Sequence, residues 1–313
     1  MIIGVDVRTR SAVLTDRQQI ASLLHNSPFI HRHLDWRYPL DWIGSPPFFV
    51  LENRGQIISA LACPPDPPQV AWVRLFVTSG MLSLDESWQT LWDAARLDLA
   101  RRGRFMAAAI VLQEWYHSLL LASGFFSRQS IVMLEREEQI PIGVSLPAGF
   151  SIRAMLQYDL PAVAEVDAAA FDILWQNSLP ALEHAYPQAV LATVVESDGQ
   201  VLGYQLSTRN PLGAHLARLA VRPTLQGRGI GSALVADLVQ LAQRRGMYHL
   251  TVNTQSDNDA SLALYKKTGF HETGERYPVY QVQVSERAST LEEIAHKASG
   301  ATACEFKIKL GGK

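Results

Sequence analysis

Apolar residues in the second half of the chain recur at helical spacing. Ile230, Leu234 and Leu238 fall on one face of a helix, and arginines stand near its expected end. Gly246 follows and can supply a left-handed cap. The pattern therefore predicts a long helix that begins near Gly229.

Shorter apolar runs predict strands. The runs that end at the polar turns 53–55 and 197–199 are each followed at once by another apolar run, which is typical of a β-hairpin. Opening strands are expected at 5–8 and 150–153, and each leads to a predicted helix, over 16–24 and 159–170 respectively.

The two halves repeat each other. Blocks match in the same order at nearly constant offset: 52–57 with 196–201 and 74–77 with 218–221 at 144, 101–103 with 244–246 at 143, and 124–125 with 269–270 at 145. We therefore expect two copies of one fold, each with a hairpin, a further strand, a long helix, a strand, a short helix and a final strand. Strands and helices in this order predict an α+β fold, an α/β three-layer sandwich with a mixed sheet.

The repeat divides the chain into a first copy (residues 1–140), a second copy (residues 150–284) and a tail (residues 285–313). The segment between the copies has the proline and glycine content of a linker. The tail has a plausible helix over 289–298 and a plausible strand over 303–310, to which no function is assigned.

Composition excludes several classes of protein. The 313 residues are 48% hydrophobic with a net charge of -2, and the first 140 contain 13 Arg, no Lys and 14 acidic residues, so neither half is basic enough to indicate nucleic-acid binding. The two cysteines, Cys63 and Cys304, are far apart and indicate neither a disulfide framework nor a zinc site. No apolar run approaches the ~20 residues of a membrane span, and the first residues do not resemble a signal peptide. A cytoplasmic location is the default expectation.

The richest segment in chemistry is a glycine-rich turn between a predicted strand and the long helix. Gly227, Gly229 and Gly231 leave backbone N–H groups unobstructed at a helix N-terminus, where the helix dipole favours an anion. Arg228 can add a charged hydrogen bond to a phosphate. The spacing matches neither a P-loop nor a dinucleotide fingerprint. A glycine-rich turn without a ligand is the alternative.

At residues 226–231, after Leu-Ala-Val-Arg-Pro, the chain resembles the acyl-CoA pyrophosphate loop of the GNAT acyltransferase superfamily. Residues 253–270 are similar to the closing motif of that family. The resemblance covers 150–284 well and 1–140 only through the repeat. It implies two tandem GNAT-like domains with mixed, mostly antiparallel sheets, the first degenerate. It also implies contacts to acetyl-CoA, the acyl-donor cosubstrate, from Leu219, Val221, Gln226, Gly227, Arg228, Gly229, Ile230, Gly231 and Asn258.

The closing motif agrees with local physics. Asn258 is a good N-cap for a helix that ends near Gly269. Tyr265 lies nearly two turns later on the same helix face, ~10 Å along the axis. The resemblance implies that Tyr265 protonates the departing CoA thiolate. The alternative is that Tyr265 is a packing residue.

The base is less evident. Relatives of one branch have Glu at the position of Asn253, which cannot titrate, and those of another have Glu at the position of His215. Counting by twos, residues 215, 217, 219 and 221 are expected to share one strand face. His215 can accept a proton near neutral pH, and a water relay or a merely structural His215 stays open.

The acceptor site is expected to involve the segment after the first helix of the second copy and the last strand. The candidates are Phe171, Asp172, Trp175, Glu183, His184, Tyr186, Tyr277 and Tyr280. Acidic residues there would suit a cationic amine, although solvated helix charges are the commoner case.

The first copy lacks this chemistry. The stretch after Val77 has one glycine and two acidic residues, and the position of Tyr265 is occupied by Leu120. Six of the seven tryptophans lie in this copy, either as core packing or as an aromatic wall. His31 and His33 lack the further ligands that a metal site needs, so no metal is expected.

Together these features predict an N-acetyltransferase that moves an acetyl group from acetyl-CoA to a primary amine by direct attack. The amine would belong to a small molecule or a peptide, without nucleic-acid or membrane partners, and the protein is expected to be a monomer or homodimer. The alternatives are a non-catalytic acyl-CoA sensor or scaffold, and a tandem enzyme of the mycothiol-synthase type.

Overall fold

A computed structural model describes residues 7–137, 142–143 and 145–285. The predicted tail elements at 289–298 and 303–310 and the start of the opening strand lie outside the described residues, as does Cys304.

The first copy follows the predicted order, with two additions. A short strand follows the first helix, and the strand after the hairpin is divided in two. Its elements are β1 (Val7–Ser11), α1 (Arg17–Asn26), β2 (Phe29–Arg32), β3 (Phe48–Asn53), β4 (Gln56–Ala62), β5 (Val70–Trp72), β6 (Leu75–Thr78), α2 (Leu84–Arg102), β7 (Phe105–Ile110), α3 (Glu114–Ala122) and β8 (Phe126–Arg136).

The second copy repeats this plan with a short extra helix. Its elements are β9 (Ser151–Ala154), α4 (Leu160–Ala170), α5 (Leu179–Ala185), β10 (Ala189–Ser197), β11 (Gln200–Asn210), β12 (Gly213–Val221), α6 (Ile230–Arg244), β13 (His249–Gln255), α7 (Asp259–Lys267) and β14 (His271–Val284). The predicted helices at 16–24, 159–170 and after Gly229 are therefore confirmed to within a few residues.

Two sheets hold the strands. One has the order β1-β3-β4-β6-β2, and the other, with nine strands, has the order β5-β7-β14-β8-β13-β12-β11-β10-β9. Among the described strands, β5 with β7 and β12 with β13 are the parallel pairs, and the rest are antiparallel. The predicted α+β class with mixed, mostly antiparallel sheets is confirmed.

The two copies exchange their final strands. β8, the last strand of the first copy, pairs with β13 of the second, and β14, the last strand of the second copy, pairs with β7 of the first. β8 and β14 also pair with each other. The nine-stranded sheet is therefore continuous through both copies.

Packing follows the exchanged strands. Val132 and Leu134 of β8 lie in the core beneath α6 of the second copy. Val282 and Val284 of β14 lie in the core of the first copy with α2 and α3. Each core is completed by a strand of the other copy. The division of the chain into separate domains at 1–140 and 150–284 therefore stays a prediction.

An ion-pair cluster recurs in both copies and confirms the repeat. In the first, Arg10 donates to Asp16 (2.7 Å) and to Glu52 (2.7 Å). In the second, Arg153 donates to Asp159 (2.7 Å) and to Glu196 (2.8 Å), which matches Glu52 in the repeat. Each aspartate also accepts a backbone N–H three residues earlier, at 2.8 Å. The cluster joins the opening strand, the first helix and the hairpin of each copy.

The hairpin turns also match. Arg54 and Asp198 have φ of 51° and 49°, and the glycines that follow have φ of 82° and 75°. Two consecutive residues with positive φ form a type I′ turn, whose twist matches that of paired strands. Both hairpins are therefore confirmed.

One prediction about β12 is wrong. The pairing with β11 shifts register between Leu206 and Ser207, so that Ala217 is an extra residue in a β-bulge. Before the bulge, Leu216 packs under α6; after it, Val221 packs under α6 and Ala220 packs under α4. Because the bulge reverses the alternation, His215 does not share a face with residues 219 and 221.

Candidate active site

A cleft of about 390 Å³ lies between the two copies. The second copy contributes His215, Arg218, Asn258 and Tyr265, and the first contributes a wall that includes Trp72. The cleft thus brings together both predicted catalytic residues and a surface of the first copy.

The edge of β12 that faces β13 opens at the cleft. Among the described residues, pairing of the two strands ends at Leu216 with Val252, and the bulge at Ala217 follows. The Arg222 N–H donates to the Leu202 carbonyl of β11. Because the backbone N–H and C=O groups of successive strand residues point to opposite sides, those of Leu219 and Val221 point away from β11, to the open side. A splayed strand edge, which the sequence alone does not show, is therefore present.

The glycine-rich turn lies at the end of this open edge. Gly227 and Gly229 have φ of 75° and 84°, and a Cβ there would meet no atom within 4 Å. Gly229 is the N-cap of α6 and offers no side-chain hydrogen bond to the first turn. The free N–H groups of that turn can therefore serve an external anion.

The neighbours of the glycines have different local tasks. Gln226 donates to the Val221 carbonyl (3.0 Å), which ties the turn to the strand. The Ile230 side chain is buried under β12, so only its backbone faces the turn. Gly231 lies against α7, where a Cβ would meet Leu264 at 3.3 Å. Arg228 is exposed.

The closing helix α7 presents two side chains to the cleft. Asn258 is its N-cap, as predicted, and accepts the Ser261 N–H at 3.1 Å. Tyr265 is buried except for 5% and packs on Phe270. Burial raises the pKa of the Tyr265 phenol, and the charge of Arg218 partly opposes that rise. The phenol therefore carries its proton at neutral pH.

His215 is half-buried, and its Nδ1 lies 2.9 Å from the Thr251 hydroxyl. Asn210 donates to the same hydroxyl at 3.2 Å, which holds Thr251 in place. Burial lowers the pKa of His215 below 6.5. The imidazole is therefore neutral at pH 7 and able to accept a proton.

Arg218 belongs to a buried network that sequence reasoning missed. Its guanidinium forms two bonds to Asp167 (2.7 and 2.9 Å) and stacks on Phe171 at 3.5 Å. Asp167 also accepts the Tyr204 hydroxyl (2.5 Å) and the Asn177 N–H (2.7 Å). The network attaches the segment after α4 to β12. The sequence did carry a signal for this residue, because Arg218 recurs as Arg74 in the matched blocks 74–77 and 218–221.

The matching arginine of the first copy faces the same cleft. Arg74 pairs with Asp35 at 3.0 Å, and both side chains are more than nine-tenths buried. Trp72 donates to the Leu174 carbonyl (3.3 Å) and lies 5.4 Å from the Trp175 ring. The two copies therefore contact each other through aromatic side chains and present paired rather than free charges.

The predicted acceptor segment is only partly at the cleft. Phe171 and Trp175 line it. Other candidates have local partners: Asp172 caps its own short helix, the Tyr186 hydroxyl donates to Met155, and the Tyr280 hydroxyl lies 2.6 Å from His117 Nε2. Glu183 and His184 are exposed and Tyr277 donates to Glu275, so none of these six lines the cleft.

Some tryptophans of the first copy are core residues and others form an aromatic wall, so both alternatives apply. Trp88 and Trp92 are core residues, whereas Trp36 and Trp72 line the cleft. His31 is buried against Tyr116 and contacts the Val73 carbonyl, and His33 stacks on Trp72.

The first copy closes the edge that the second leaves open. On the side of β6 corresponding to the open edge of β12, β2 pairs antiparallel, from Phe29 with Thr78 to Arg32 with Leu75. Leu120, at the position of Tyr265, is buried in the core. In the described part of the first copy, these positions therefore offer a ligand no open strand edge, no phenol and no glycine-rich turn.

Comparisons with known proteins agree with these features. The family model described as Acetyltransferase (GNAT) family matches residues 160–270. The N-alpha-acetyltransferase RimI of Mycobacterium tuberculosis is 35% identical over 138 residues, which are 42% of this chain and 85% of that protein. A mycothiol acetyltransferase of Pseudarthrobacter chlorophenolicus is 29% identical over 153 residues, 44% of this chain and 47% of that protein.

A solved tandem GNAT protein from the clavulanic acid biosynthesis pathway has the same fold over both copies. Its TM-score is 0.59 at 16% identity, with 90% of this chain and 99% of that chain covered. The chain therefore belongs to the GNAT family and is an N-acetyltransferase with a tandem fold. Members of the family generally use acetyl-CoA. No helix of the described residues is long and apolar enough to cross a membrane.

Proposed function

We propose that the second copy binds acetyl-CoA along the open edge of β12 and acetylates a primary amine in the cleft between the copies. The observation that carries the proposal is the open edge of β12, which leads to the glycine-rich turn and whose Leu219 lines the cleft together with Tyr265. Backbone groups of Leu219 and Val221 would pair with the amide-containing arm of the cosubstrate.

The residues around the turn would hold the phosphates. Among the described residues, no side chain caps the first turn of α6 after Gly229, and its N–H groups lie at the positive end of the helix dipole. Arg228 is exposed beside them and adds a charge. Gln226 supports the site through its bond to Val221, and Asn258 borders the cleft where the arm would arrive.

The chemistry needs a proton acceptor and a proton donor. His215 would take the proton of the attacking amine, since its imidazole is neutral at pH 7. The nitrogen–carbon bond forms while the carbon–sulfur bond breaks, and Tyr265 would give its proton to the thiolate. No described residue hydrogen-bonds to the Tyr265 hydroxyl, which leaves it available to the leaving group.

The first copy would form the acceptor side of the cleft. Trp36 and Trp72 supply flat apolar surface, and the charges of Arg74 and Asp35 compensate each other. Such a wall favours a primary amine that carries an apolar or aromatic portion. The names of two relatives, the ribosomal protein bS18-alanine N-acetyltransferase of Escherichia coli and the mycothiol acetyltransferase, suggest acceptor classes to try first: a ribosomal-protein peptide beginning with alanine, and the amine precursor of mycothiol.

Release of CoA thiol from acetyl-CoA tests the proposal, with peptide N-termini, amino acids, polyamines, aminoglycosides and amino-sugar thiols as acceptors. With the amine that reacts, Tyr265→Phe should reduce turnover by roughly 100-fold or more and leave acetyl-CoA binding unchanged. Tyr158→Phe, at a tyrosine that is 72% exposed, is the matched control.

Two results would contradict the proposal. Full turnover in Tyr265→Phe would remove the acid assignment. Tight binding of acetyl-CoA with no release for any amine would favour a sensor or scaffold over the proposed reaction.

A further inference from the structure

Four side chains that can bind a metal meet where the exchanged strands come together. Glu135 is near the end of β8, Glu137 follows that strand, and His249 and His271 are the first residues of β13 and β14. β8 lies between β13 and β14, and Glu135 is opposite His271 in the strand register. The cluster therefore contains residues of both copies.

The distances suit a single small cation. The ligand atoms of Glu135, Glu137 and His249 all lie within 4.8 Å of one another. His249 Nε2 is 3.1 Å from Glu135 and 3.8 Å from Glu137, and His271 Nε2 is 3.4 Å from the other oxygen of Glu135. Ligands placed ~2.0–2.1 Å from zinc in a tetrahedron are ~3.3 Å apart, so small side-chain shifts would complete the site.

A hydrogen bond joins fewer side chains of this cluster than a metal ion would. A proton on His249 Nε2 can bridge to Glu135, but Glu137 at 3.8 Å is beyond hydrogen-bond distance. A divalent cation at the centre contacts both carboxylates and the imidazole together. The His271 side chain is 65% exposed, which gives its ring room to turn inward as a fourth ligand.

We propose that Glu135, Glu137 and His249, with His271, bind a zinc ion that joins β8 of the first copy to β13 and β14 of the second. Imidazole nitrogen with carboxylate oxygen is a ligand set that zinc accepts. The buried Nδ1 of His249 has no hydrogen-bond partner among the residues that the structure describes. Because a metal-bound histidine usually donates its other N–H, we expect weaker binding than at a zinc site with that bond.

The site is structural rather than catalytic. None of the four residues lines the cleft, which is bordered by the opposite end of β13. Asn253, the first residue of β13 that lines the cleft, is four residue steps or about 13 Å along the strand from His249. Zinc would therefore stabilise the strand exchange from a site outside the cleft, and the sequence, which indicated no metal, did not predict this site.

Calorimetric titration of the full-length, chelator-treated protein with zinc chloride tests the proposal. We expect one zinc ion per chain and an unfolding temperature that rises by a few degrees with zinc, because the metal binds only the folded arrangement. Magnesium chloride should give neither effect, since magnesium prefers oxygen ligands in octahedral geometry.

Variants locate the site. His249→Ala and Glu137→Gln should each weaken zinc binding by more than about 10-fold, the loss that removal of even an outer-shell partner can cause. Glu137 is exposed, so its substitution does not endanger folding. His25→Ala, at an exposed histidine of α1, is the matched control and should bind zinc as the unaltered protein does. Equal affinity in all of these proteins, or no binding by the unaltered chain, would overturn the proposal.

Discussion

The two copies treat the same strand edge in opposite ways. In the second, β12 bulges at Ala217 and leaves β13, so that no described strand pairs with the backbone groups of Leu219 and Val221 on that side, and Leu219 lines the cleft. In the first, β2 pairs along the corresponding edge of β6 and satisfies those groups. A backbone donor removed from water needs a partner, and here either a ligand or the chain itself can supply it.

The helices that follow differ in the same sense. α2 begins with a capping box, in which Ser83 accepts the Glu86 N–H (3.2 Å) and Glu86 accepts the Ser83 N–H (3.1 Å). α6 begins with Gly229 and has no side-chain cap. The first copy thus carries its own anion at the helix N-terminus, whereas the second leaves that place free.

The largest expected effect comes from separating the copies. Residues 142–313 expressed alone should fail to fold, because β13 and β14 lose β8 and the core beneath α6 loses Val132 and Leu134. Solubility and circular dichroism measure this. Coexpression with residues 1–137 should restore a folded complex. A stable, acetyl-CoA-binding fragment 142–313 would instead make the second copy an independent domain.

The next largest effect concerns the glycine-rich turn. Gly229→Glu places a carboxylate at the α6 N-terminus and forces a side chain into a positive-φ conformation, so we expect acetyl-CoA affinity to fall by roughly 100-fold or more. Gly80→Glu is the matched change in the first copy, where φ is +81° and space is likewise open. It should cost similar strain and leave affinity unaltered, as calorimetry can measure. Equal losses in both variants would argue against the turn as the phosphate site.

A smaller expected effect is a pH dependence of the stability that comes from the first copy. Burial lowers the pKa of His31, on β2, to about 4. Because the unfolded chain takes up this proton near pH 6.5 and the folded one only near pH 4, stability falls across that window as pH decreases, by about 3 kcal/mol in total.

Chemical denaturation of His31→Gln at several pH values checks the effect. The variant should lose less stability than the unaltered protein between pH 6.5 and 4, whereas His25→Ala, at an exposed histidine, should follow the unaltered protein. Parallel pH profiles for all three proteins would show that His31 does not carry this proton linkage.

Much of the molecule was predictable because its signals are local. Periodicity predicted α6, the N-cap tendency of Asn258 predicted the start of α7, and the turn residues predicted both hairpins. The repeat followed from matched blocks, and the two ion pairs that Arg10 and Arg153 each form are its structural counterpart.

The sequence by itself determined most of the elements, their order and the chemical types at the glycine-rich turn and Tyr265, because these depend on neighbouring residues; β2, the separate β5 and α5 were not predicted. Only the tertiary structure decided which strand completes each core, that β2 fills the edge of the first copy, and that the bulge at Ala217 reverses the face of His215. Those choices depend on long-range pairing between segments whose local patterns fit more than one partner. The cleft is therefore a property of both copies, although the glycine-rich turn and Tyr265 belong to one.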